Sequence, residues 1–251
     1  MERVKTGIQV LDKALMGGIP KNNIVLVSGG AGTGKSTLCL QYLYNGAKLF
    51  GEKGIYFTTE QNAKELKKQA ASYGWNIEEL EKKNLLRIHY FDVVERDNFL
   101  QKIYDIYSDF EPKRIAIDSL TTFTDSLLIS EMDEQVGFSA VQIAESVSPI
   151  PRTEQVVAKA LLYHLLKKLK LFDSTVLMTS ELPEKSDYLS ADQISEFICD
   201  GVMVLEYLGV GAQVFRSLRI RKMRYSNHEK ASLAYELTDK GIQFTERELK
   251  L

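Results

Sequence analysis

A chain of 251 residues is long enough to bury a substantial core and has the size of one α/β domain, so we expect a single domain over residues 1–251. Its 44% apolar and 26% charged residues argue against a disordered or fibrous chain. The formal net charge of −2 excludes a general basic excess that would draw the molecule to nucleic acid or to an anionic membrane.

Alternating strand and helix patterns run through the first half of the chain. Short runs of β-branched apolar residues predict strands buried on both faces, and apolar residues at helical spacing predict helices. In chain order we expect a helix over residues 6–19, a strand over 24–27, a helix over 35–50, a strand over 54–59 and a helix over 62–73.

The second half continues this alternation and then changes. In chain order we expect a strand over 85–90, a helix over 97–110, a strand over 114–117, a functional insertion over about 121–151, a helix over 154–172 and a strand over 175–179. Two antiparallel strands over 201–208 and 214–224 follow, joined by a turn with Gly209 and Gly211. The pattern predicts an α/β fold with a mostly parallel twisted sheet, flanking helices and a C-terminal antiparallel β-hairpin.

Eight residues between the first apolar strand and its helix match the P-loop pattern. They are Gly29, Gly30, Ala31, Gly32, Thr33, Gly34, Lys35 and Ser36. The glycines let backbone N–H groups converge on phosphate oxygens, and the helix N-terminus adds partial positive charge. The alternative, a glycine-rich turn that matches by chance, is disfavoured because the motif lies between a strand and a helix. The sequence therefore predicts binding of ATP with Mg²⁺.

Individual residues of this motif have separate expected tasks. Lys35 should reach the β- and γ-phosphates, Ser36 should offer its hydroxyl to Mg²⁺, and Thr37 should contact the α-phosphate. Asp118 follows an apolar strand and should hold a magnesium-bound water, although a strand terminus or helix cap explains a lone aspartate equally well. Glu60 at another strand end is the candidate base for hydrolysis, with a solvated acid at a helix start as the alternative.

The cysteines and the N-terminus bear on the cellular compartment. Cys39 and Cys199 lack metal-site spacing and favour two buried, reduced thiols over a disulfide. The first residues carry no apolar signal core, and no stretch reaches the length that crosses a bilayer. We therefore expect a cytoplasmic protein that neither spans nor binds a membrane.

Motifs in a fixed order carry a resemblance to a known family. They are Thr6-Gly7-Ile8, Leu11-Asp12, Gly17-Gly18-Ile19-Pro20, the P-loop, the strand that ends in Thr58-Thr59-Glu60, Tyr73-Gly74-Trp75, Ile117-Asp118-Ser119, Val176-Leu177-Met178-Thr179, and Lys222-Met223-Arg224 with His228. In this order they resemble the KaiC and RadA branch of the RecA-like P-loop ATPases, and most closely a single KaiC-type domain. Lys21-Asn22-Asn23 departs from the family's glycine pattern before the P-loop strand.

The resemblance implies roles that the residues alone leave open. Glu60 would be the catalytic base, with Gln61 in place of a frequent second glutamate. Lys222 and Arg224, two apart on a strand and so on one face, would reach the γ-phosphate of the adjacent subunit, with His228 also at the nucleotide. This implies a homo-oligomer, a hexameric ring in the family. The alternative is that Lys222 and Arg224 are structural charges on an outer strand, where they prevent pairing with strands of other chains. Ser195 lies near the family's phosphorylation region, but a helix or turn residue is favoured.

The motifs are compatible with three functions. The first is an oligomeric regulatory ATPase that acts on an unknown protein partner, the second a RadA-like recombination accessory that binds DNA, and the third a slow nucleotide-dependent scaffold. The loops that contact DNA in recombinases are acidic here, with five acids against one base in residues 120–152 and six against one in 181–200. Such loops repel DNA phosphates, so DNA binding through them is disfavoured.

Overall fold

The computed structural model describes residues 1–91, 99–122, 154–183, 186–210 and 213–248. The functional insertion that we expect over about 121–151 therefore lies almost entirely outside the described residues, as does Gly211 of the expected turn. No helix within the described ranges is both long and apolar enough to cross a membrane.

The described residues form one large sheet and a small strand pair. The strands are β1 (Arg3–Val4), β2 (Ile19–Pro20), β3 (Ile24–Gly29), β4 (Gly54–Thr58), β5 (Leu86–Tyr90), β6 (Arg114–Asp118), β7 (Thr175–Glu181), β8 (Gly201–Val210), β9 (Gln213–Met223), β10 (Leu233–Thr238) and β11 (Gly241–Glu248). The helices are α1 (Gln9–Ala14), α2 (Lys35–Phe50), α3 (Ala63–Ser72), α4 (Ile77–Lys82), α5 (Phe99–Phe110), α6 (Glu154–Leu169) and α7 (Ser195–Ile198).

The large sheet has nine strands in the order β11-β10-β9-β8-β3-β7-β6-β4-β5, and β1 pairs with β2 separately. The six strands from β8 to β5 run parallel to one another, whereas β9, β10 and β11 are antiparallel additions. The predicted α/β class, with a mostly parallel sheet and a C-terminal antiparallel hairpin, is confirmed. Because parallel strands end at the same edge, the residues that follow β3, β4, β6 and β7 meet there.

Both faces of the parallel part are covered by helices, which explains the continuous apolar runs of its strands. In β3, Val25 and Val27 face the core formed with α2, α3 and α4, whereas Ile24 and Leu26 face the core formed with α5, α6 and α7. All four side chains are buried. Full burial of each such side chain contributes about 1.5–3 kcal/mol, so β3 is a central stabilising element.

The N-terminal segment differs from its prediction. The expected helix over residues 6–19 is wrong in extent, because α1 covers only Gln9–Ala14 and Ile19 belongs to β2. Met16, Gly17 and Gly18 have φ values of 55°, 106° and 127°, which end the helix and turn the chain. Helix α4 and strands β10 and β11 were not predicted, because their segments are short and lack strong periodicity.

Cys39 and Cys199 are both free and buried, as predicted. Burial raises the pKa of the Cys39 thiol well above its usual value, and burial, with the nearby Asp200 carboxylate, raises the pKa of Cys199 to about 12. Both groups therefore remain neutral thiols near neutral pH.

Arg114, at the start of β6, is fully buried. Its Nε donates to Glu52 Oε2 at 2.6 Å, one terminal nitrogen donates to the Tyr42 carbonyl at 3.1 Å, and the guanidinium lies 4.6 Å from the centroid of the Tyr42 ring. A Cβ on Gly46 of α2 would lie 2.4 Å from Arg114 Cδ and Nε. The position of the Arg114 side chain, and with it the ion pair to the partly exposed Glu52, therefore depends on the absence of a side chain at Gly46.

We predict that Gly46→Ala destabilises the protein. Alanine gains about 1 kcal/mol in helix propensity, but overpacking against a held arginine costs about 1–3 kcal/mol, and we expect the second effect to exceed the first. Chemical denaturation would measure the free energy of unfolding. Gly209→Ala is the control, since an added methyl there meets nothing within 4 Å. A more stable Gly46→Ala protein would contradict the packing argument.

Candidate functional site

The P-loop leaves β3 at Gly29 and enters α2 at Lys35, as predicted. A Cβ at Gly29 would lie 2.4 Å from the Leu205 carbonyl oxygen of β8, so only glycine fits there. Gly32 and Gly34 have φ values of 72° and 98°, which glycine adopts at little cost. The tight curl of the loop therefore follows directly from its glycines.

Helix α2 presents an N-terminus suited to an anion. It has 16 residues, and its N-cap residue is Gly34, so no side chain caps its first N–H groups. The first N–H groups of a helix have no partner within the helix, and the helix dipole places partial positive charge there. Converging N–H groups at this end suit a phosphate group.

Lys35 is buried at the floor of the loop. Its Nζ donates to the carbonyls of Gly29 at 2.9 Å and Gly30 at 3.1 Å, and lies 3.6 Å from Glu181 Oε1 at the end of β7. The ammonium group is therefore held inside the loop, within reach of any anion bound there. Glu181 was not predicted as a site residue, although its place at the C-terminal end of an apolar strand was a signal in the sequence.

The two threonines of this region make different contacts. Thr33 Oγ1 donates to the Gly30 carbonyl at 2.8 Å and braces the loop from within. Thr37 Oγ1 accepts a hydrogen bond from Gln69 Nε2 at 3.2 Å and lies 3.4 Å from the Tyr73 hydroxyl of the α3 cap. The Thr37 hydroxyl thus faces α3, and the role expected for it at the α-phosphate stays a prediction.

Asp118 is buried at the end of β6 and is held by two hydroxyl groups. Tyr56 OH donates to Oδ2 at 2.6 Å, and Thr179 Oγ1 donates to Oδ1 at 2.5 Å. The Ser36 side chain, at the start of α2, lies beside the same Tyr56 phenol. The structure therefore brings together Ser36 and Asp118, the two predicted metal residues, through a tyrosine that sequence analysis did not identify.

The electrostatics of this group favour a hydrogen-bonded carboxylate. Burial, and then the Asp118 carboxylate, raise the pKa of Tyr56 well above its usual value, so its phenol remains a donor. Buried carboxylates require such donors. Tyr56 lies between two apolar residues of β4, and Thr179 follows the apolar run Val176-Leu177-Met178 of β7. A hydroxyl side chain within or directly after such an apolar run was the signal available in the sequence.

Glu60 follows β4 at the same edge and is exposed. The N–H groups of Glu60 and Gln61 donate to Thr58 Oγ1 at 3.3 and 3.2 Å, which folds the chain into a turn after the strand. Thr122 Oγ1 lies 3.4 Å from Glu60 Oε1, and the Thr59 N–H donates to the Asp118 carbonyl at 2.9 Å. Glu60 therefore shares the edge with the P-loop and Asp118.

Lys222 and Arg224 lie away from their own P-loop. Lys222 pairs with Val202, which pairs with Leu26, whereas the loop begins at Gly29. At about 3.3 Å per residue, three residues separate these levels by roughly 10 Å, before the separation of about 4.8 Å between neighbouring strands is added. The pair is therefore not part of the site that its own chain forms.

Both basic side chains contact the end of α7. Lys222 Nζ donates to the carbonyls of Glu196 and Phe197 at 3.0 Å each. The Arg224 guanidinium donates to the Phe197 carbonyl at 3.1 Å and lies 3.6 Å from Asp200. Burial, and then the Arg224 charge, lower the pKa of Lys222. The expectation that the two side chains project to one side is confirmed.

His228 and Ser195 are also distant from the loop. His228 is half-buried, and its neighbour Glu229 donates its N–H to the Ala14 carbonyl of α1 at 2.9 Å. Ser195 is buried as the first residue of α7, and its hydroxyl is hydrogen-bonded to Asp192 at 2.5 Å. Ser195 is thus a helix residue, as the sequence favoured.

The acidic loop after β7 is less exposed than its composition suggests. Asp192 accepts from the N–H groups of Ile194 and Ser195 at 2.7 Å, Glu196 accepts from the Leu189 N–H at 2.6 Å, and Asp200 is buried against Lys170. Glu181 and Asp187 are the exposed acids among the described residues of this loop. The negative charge that this loop exposes to solvent is therefore smaller than the six acidic residues of its sequence suggest.

The residues at this edge fit ATP with Mg²⁺. The curled loop and the uncapped N-terminus of α2 offer N–H groups to phosphates, and Lys35 adds a positive charge. Mg²⁺ usually takes one or two protein oxygens together with waters and substrate phosphates, and the Ser36 hydroxyl and Asp118 carboxylate supply oxygens of this kind.

Comparisons with known proteins agree with this geometry. A family model described as "ATPase: KaiC" matches residues 4–136 and 128–249. A UPF0273 protein of Thermotoga maritima is 31% identical over 243 residues, covering 96% of this chain and 95% of its own length. The circadian clock oscillator protein KaiC of Nostoc sp. is 26% identical, and its match covers 96% of this chain but 44% of that longer protein.

A solved structure is similar in both fold and sequence. The KaiC-like protein of Pyrococcus horikoshii OT3 superposes with a TM-score of 0.74 and is 32% identical, covering 97% of this chain and 99% of that one. The similarity therefore extends over nearly the whole length of both chains.

We predict that Lys35→Ala weakens binding of ATP with magnesium. Loss of a charge-assisted contact to phosphate should raise the Kd about 10- to 100-fold. Calorimetric titration would measure this change. Lys48→Ala, at an exposed position in the last turn of the same helix, is the matched control. Unchanged affinity in a folded Lys35→Ala protein would rule out the loop as the phosphate site.

Proposed function

This chain belongs to the KaiC family of RecA-like ATPases, and from this we propose that it binds and hydrolyses ATP as an oligomer with nucleotide at the subunit interfaces. One observation carries the proposal. Lys35, the Ser36–Tyr56–Asp118 group and Glu60 meet at one edge of the parallel sheet. A phosphate cradle, a metal-binding pair and a carboxylate base are the parts that phosphoryl transfer to water requires.

Each residue has a defined task in this reaction. Lys35 exchanges its contacts with the Gly29 and Gly30 carbonyls and with Glu181 for contacts with phosphate oxygens. Ser36 and Asp118 would hold Mg²⁺, and the ion would supply positive charge that offsets the charge of the phosphates. The Tyr56 and Thr179 hydroxyls keep the Asp118 carboxylate oriented.

Glu60 accepts the proton of the attacking water. The water oxygen forms a bond to the γ-phosphorus, and the bond from that phosphorus to the β–γ bridging oxygen breaks, giving ADP and phosphate. The proton passes to the Glu60 carboxylate and then to solvent. Gln61 beside it can orient a water but cannot accept a proton, so Glu60 alone performs the base chemistry.

Lys222 and Arg224 act on the site of a neighbouring subunit. The two residues lie remote from their own P-loop, at the C-terminal end of β9, and their side chains project to the same side. This placement supports a role at the site of another subunit. An arginine supplied in trans stabilises transition-state charge by about 10³- to 10⁵-fold in rate. The head-to-tail contacts that such a role requires generate a ring, and we propose a hexamer with His228 at the same interface.

The regulatory role follows from the architecture and from family membership. We propose that nucleotide state controls binding to a protein partner in the cytoplasm. No observation favours DNA binding over this role, since the exposed acids Glu181 and Asp187 repel phosphates. A slow scaffold is disfavoured because Lys35, Ser36, Asp118 and Glu60 are all present.

We predict that Glu60→Gln slows hydrolysis while nucleotide stays bound. The substitution keeps the size and hydrogen bonding of the side chain but removes the proton acceptor, so kcat should fall about 10²- to 10⁴-fold with little change in ATP affinity. Phosphate release would be measured at saturating ATP. Glu78→Gln removes the same charge from an exposed position of α4 and should hydrolyse ATP at the wild-type rate. Equal rates for Glu60→Gln and wild type would exclude Glu60 as the base.

A mixing experiment tests the action in trans. Lys35→Ala and Arg224→Ala subunits should each be inactive alone, because one lacks the phosphate contact and the other lacks the arginine. Mixed oligomers contain interfaces that pair an intact P-loop with an intact Arg224, so activity should return on mixing. Subunit exchange would be verified by native mass measurement. A mixture no more active than either variant, with exchange verified, would leave Lys222 and Arg224 as structural charges.

A further inference from the structure

The outer side of the P-loop is held by side chains of the C-terminal strands. Tyr207 on β8 and Arg216, its pairing partner on β9, both donate to the Gly32 carbonyl, at 2.9 and 3.3 Å. Tyr235 on β10 donates to the Thr33 carbonyl at 2.5 Å. Three adjacent strands therefore supply donors to two successive carbonyls of the loop.

These contacts restrict the direction of the loop's N–H groups. In a planar trans peptide, the C=O of one residue and the N–H of the next point in opposite directions. A Gly32 carbonyl held outward turns the Thr33 N–H inward, where it lies 3.4 Å from the Gly30 carbonyl. A Thr33 carbonyl held by Tyr235 likewise directs the Gly34 N–H away from that tyrosine, at the beginning of α2.

We propose that Tyr207, Arg216 and Tyr235 are positioning residues for phosphate binding, which hold the P-loop peptides in the binding orientation before the nucleotide arrives. The inference rests on the proposed function, because it concerns the same nucleotide site. Four glycines make this loop flexible in the unfolded chain, and ordering a glycine loop on binding costs entropy. A loop that is already held avoids most of this cost.

The surroundings of the three donors support a fixed arrangement. Tyr235 is buried and its ring packs 5.8 Å from that of Phe244, and burial raises the pKa of its phenol, so the hydroxyl stays a donor. The Arg216 guanidinium lies 5.2 Å from the centroid of the Tyr207 ring. A Cβ at Gly34 would lie 3.0 Å from Leu237, the residue two positions after Tyr235. The loop is thus packed against β10 as well as hydrogen-bonded to it.

A purely structural role makes a different prediction. If the hydroxyl groups only satisfy carbonyls of the folded chain, their loss should lower the melting temperature without changing nucleotide affinity. If they position the loop, their loss should weaken MgATP and MgADP alike, because both ligands use the phosphate cradle. The rate at saturating ATP should then stay close to the wild-type rate, since Glu60 and Asp118 are untouched.

Tyr207→Phe, Tyr235→Phe and the double variant test the inference, because phenylalanine keeps the ring and removes only the hydroxyl. We expect the Kd for MgATP and MgADP to rise about 10-fold or more in the double variant and less in each single variant. The apparent KM should rise in parallel while kcat changes less than about twofold. Tyr104→Phe is the matched control, because this half-exposed tyrosine lies on α5, on the opposite face of the sheet.

The outcomes separate this inference from the proposed function. Wild-type affinity in a folded double variant, with binding lost in Lys35→Ala, overturns the positioning role and leaves the nucleotide site intact. Wild-type affinity in Lys35→Ala overturns the nucleotide site itself. If Tyr235→Phe unfolds the chain, Tyr207→Phe alone decides, since Tyr207 is 45% exposed and its ring is not part of the core. Unchanged affinity in that variant then overturns the inference.

Discussion

The pairing of β3 with β7 on one side and β8 on the other sets the position of the P-loop. Gly29, the last residue of β3, is in register with Glu181 of β7 and Leu205 of β8. The Leu205 carbonyl lies so close that a Cβ at Gly29 would clash with it at 2.4 Å. Because β7 ends at this level, and β6 and β4 end close to it, the P-loop, Asp118 and Glu60 lie together at one edge of the sheet.

Asp118 connects the elements that surround this edge. Its carboxylate accepts hydrogen bonds from Tyr56 on β4 and Thr179 on β7, and the Tyr56 phenol lies beside Ser36 on α2. Burial of a carboxylate is costly unless donors replace its lost water, so the two hydroxyls are a condition for placing it here. The same donors fix its orientation, which is why the polar residues within otherwise apolar strands matter for the site.

Strand β9 reaches two different regions of the molecule. Arg216 contacts the P-loop through the Gly32 carbonyl, whereas Lys222 contacts the end of α7. At about 3.3 Å per residue, the six residue steps from Arg216 to Lys222 span roughly 20 Å. The antiparallel strands that follow β8 therefore brace the nucleotide edge at one end and present the basic pair at the other.

Local sequence patterns determined the parallel sheet, the P-loop and the strand-end acids, because strand periodicity, glycine conformation and the strand–loop–helix order are properties of short segments. They did not reveal α4, β10 and β11, and they extended α1 too far, because Ile19 is drawn into pairing with Val4. They marked Tyr56 and Thr179 only as polar positions in apolar strands and could not show that these residues contact Asp118, or that Tyr207, Arg216 and Tyr235 contact the P-loop. Each of these residues reaches the site from a strand distant in sequence, so only the order and register of the sheet decided which hydroxyl or guanidinium group meets the P-loop and Asp118.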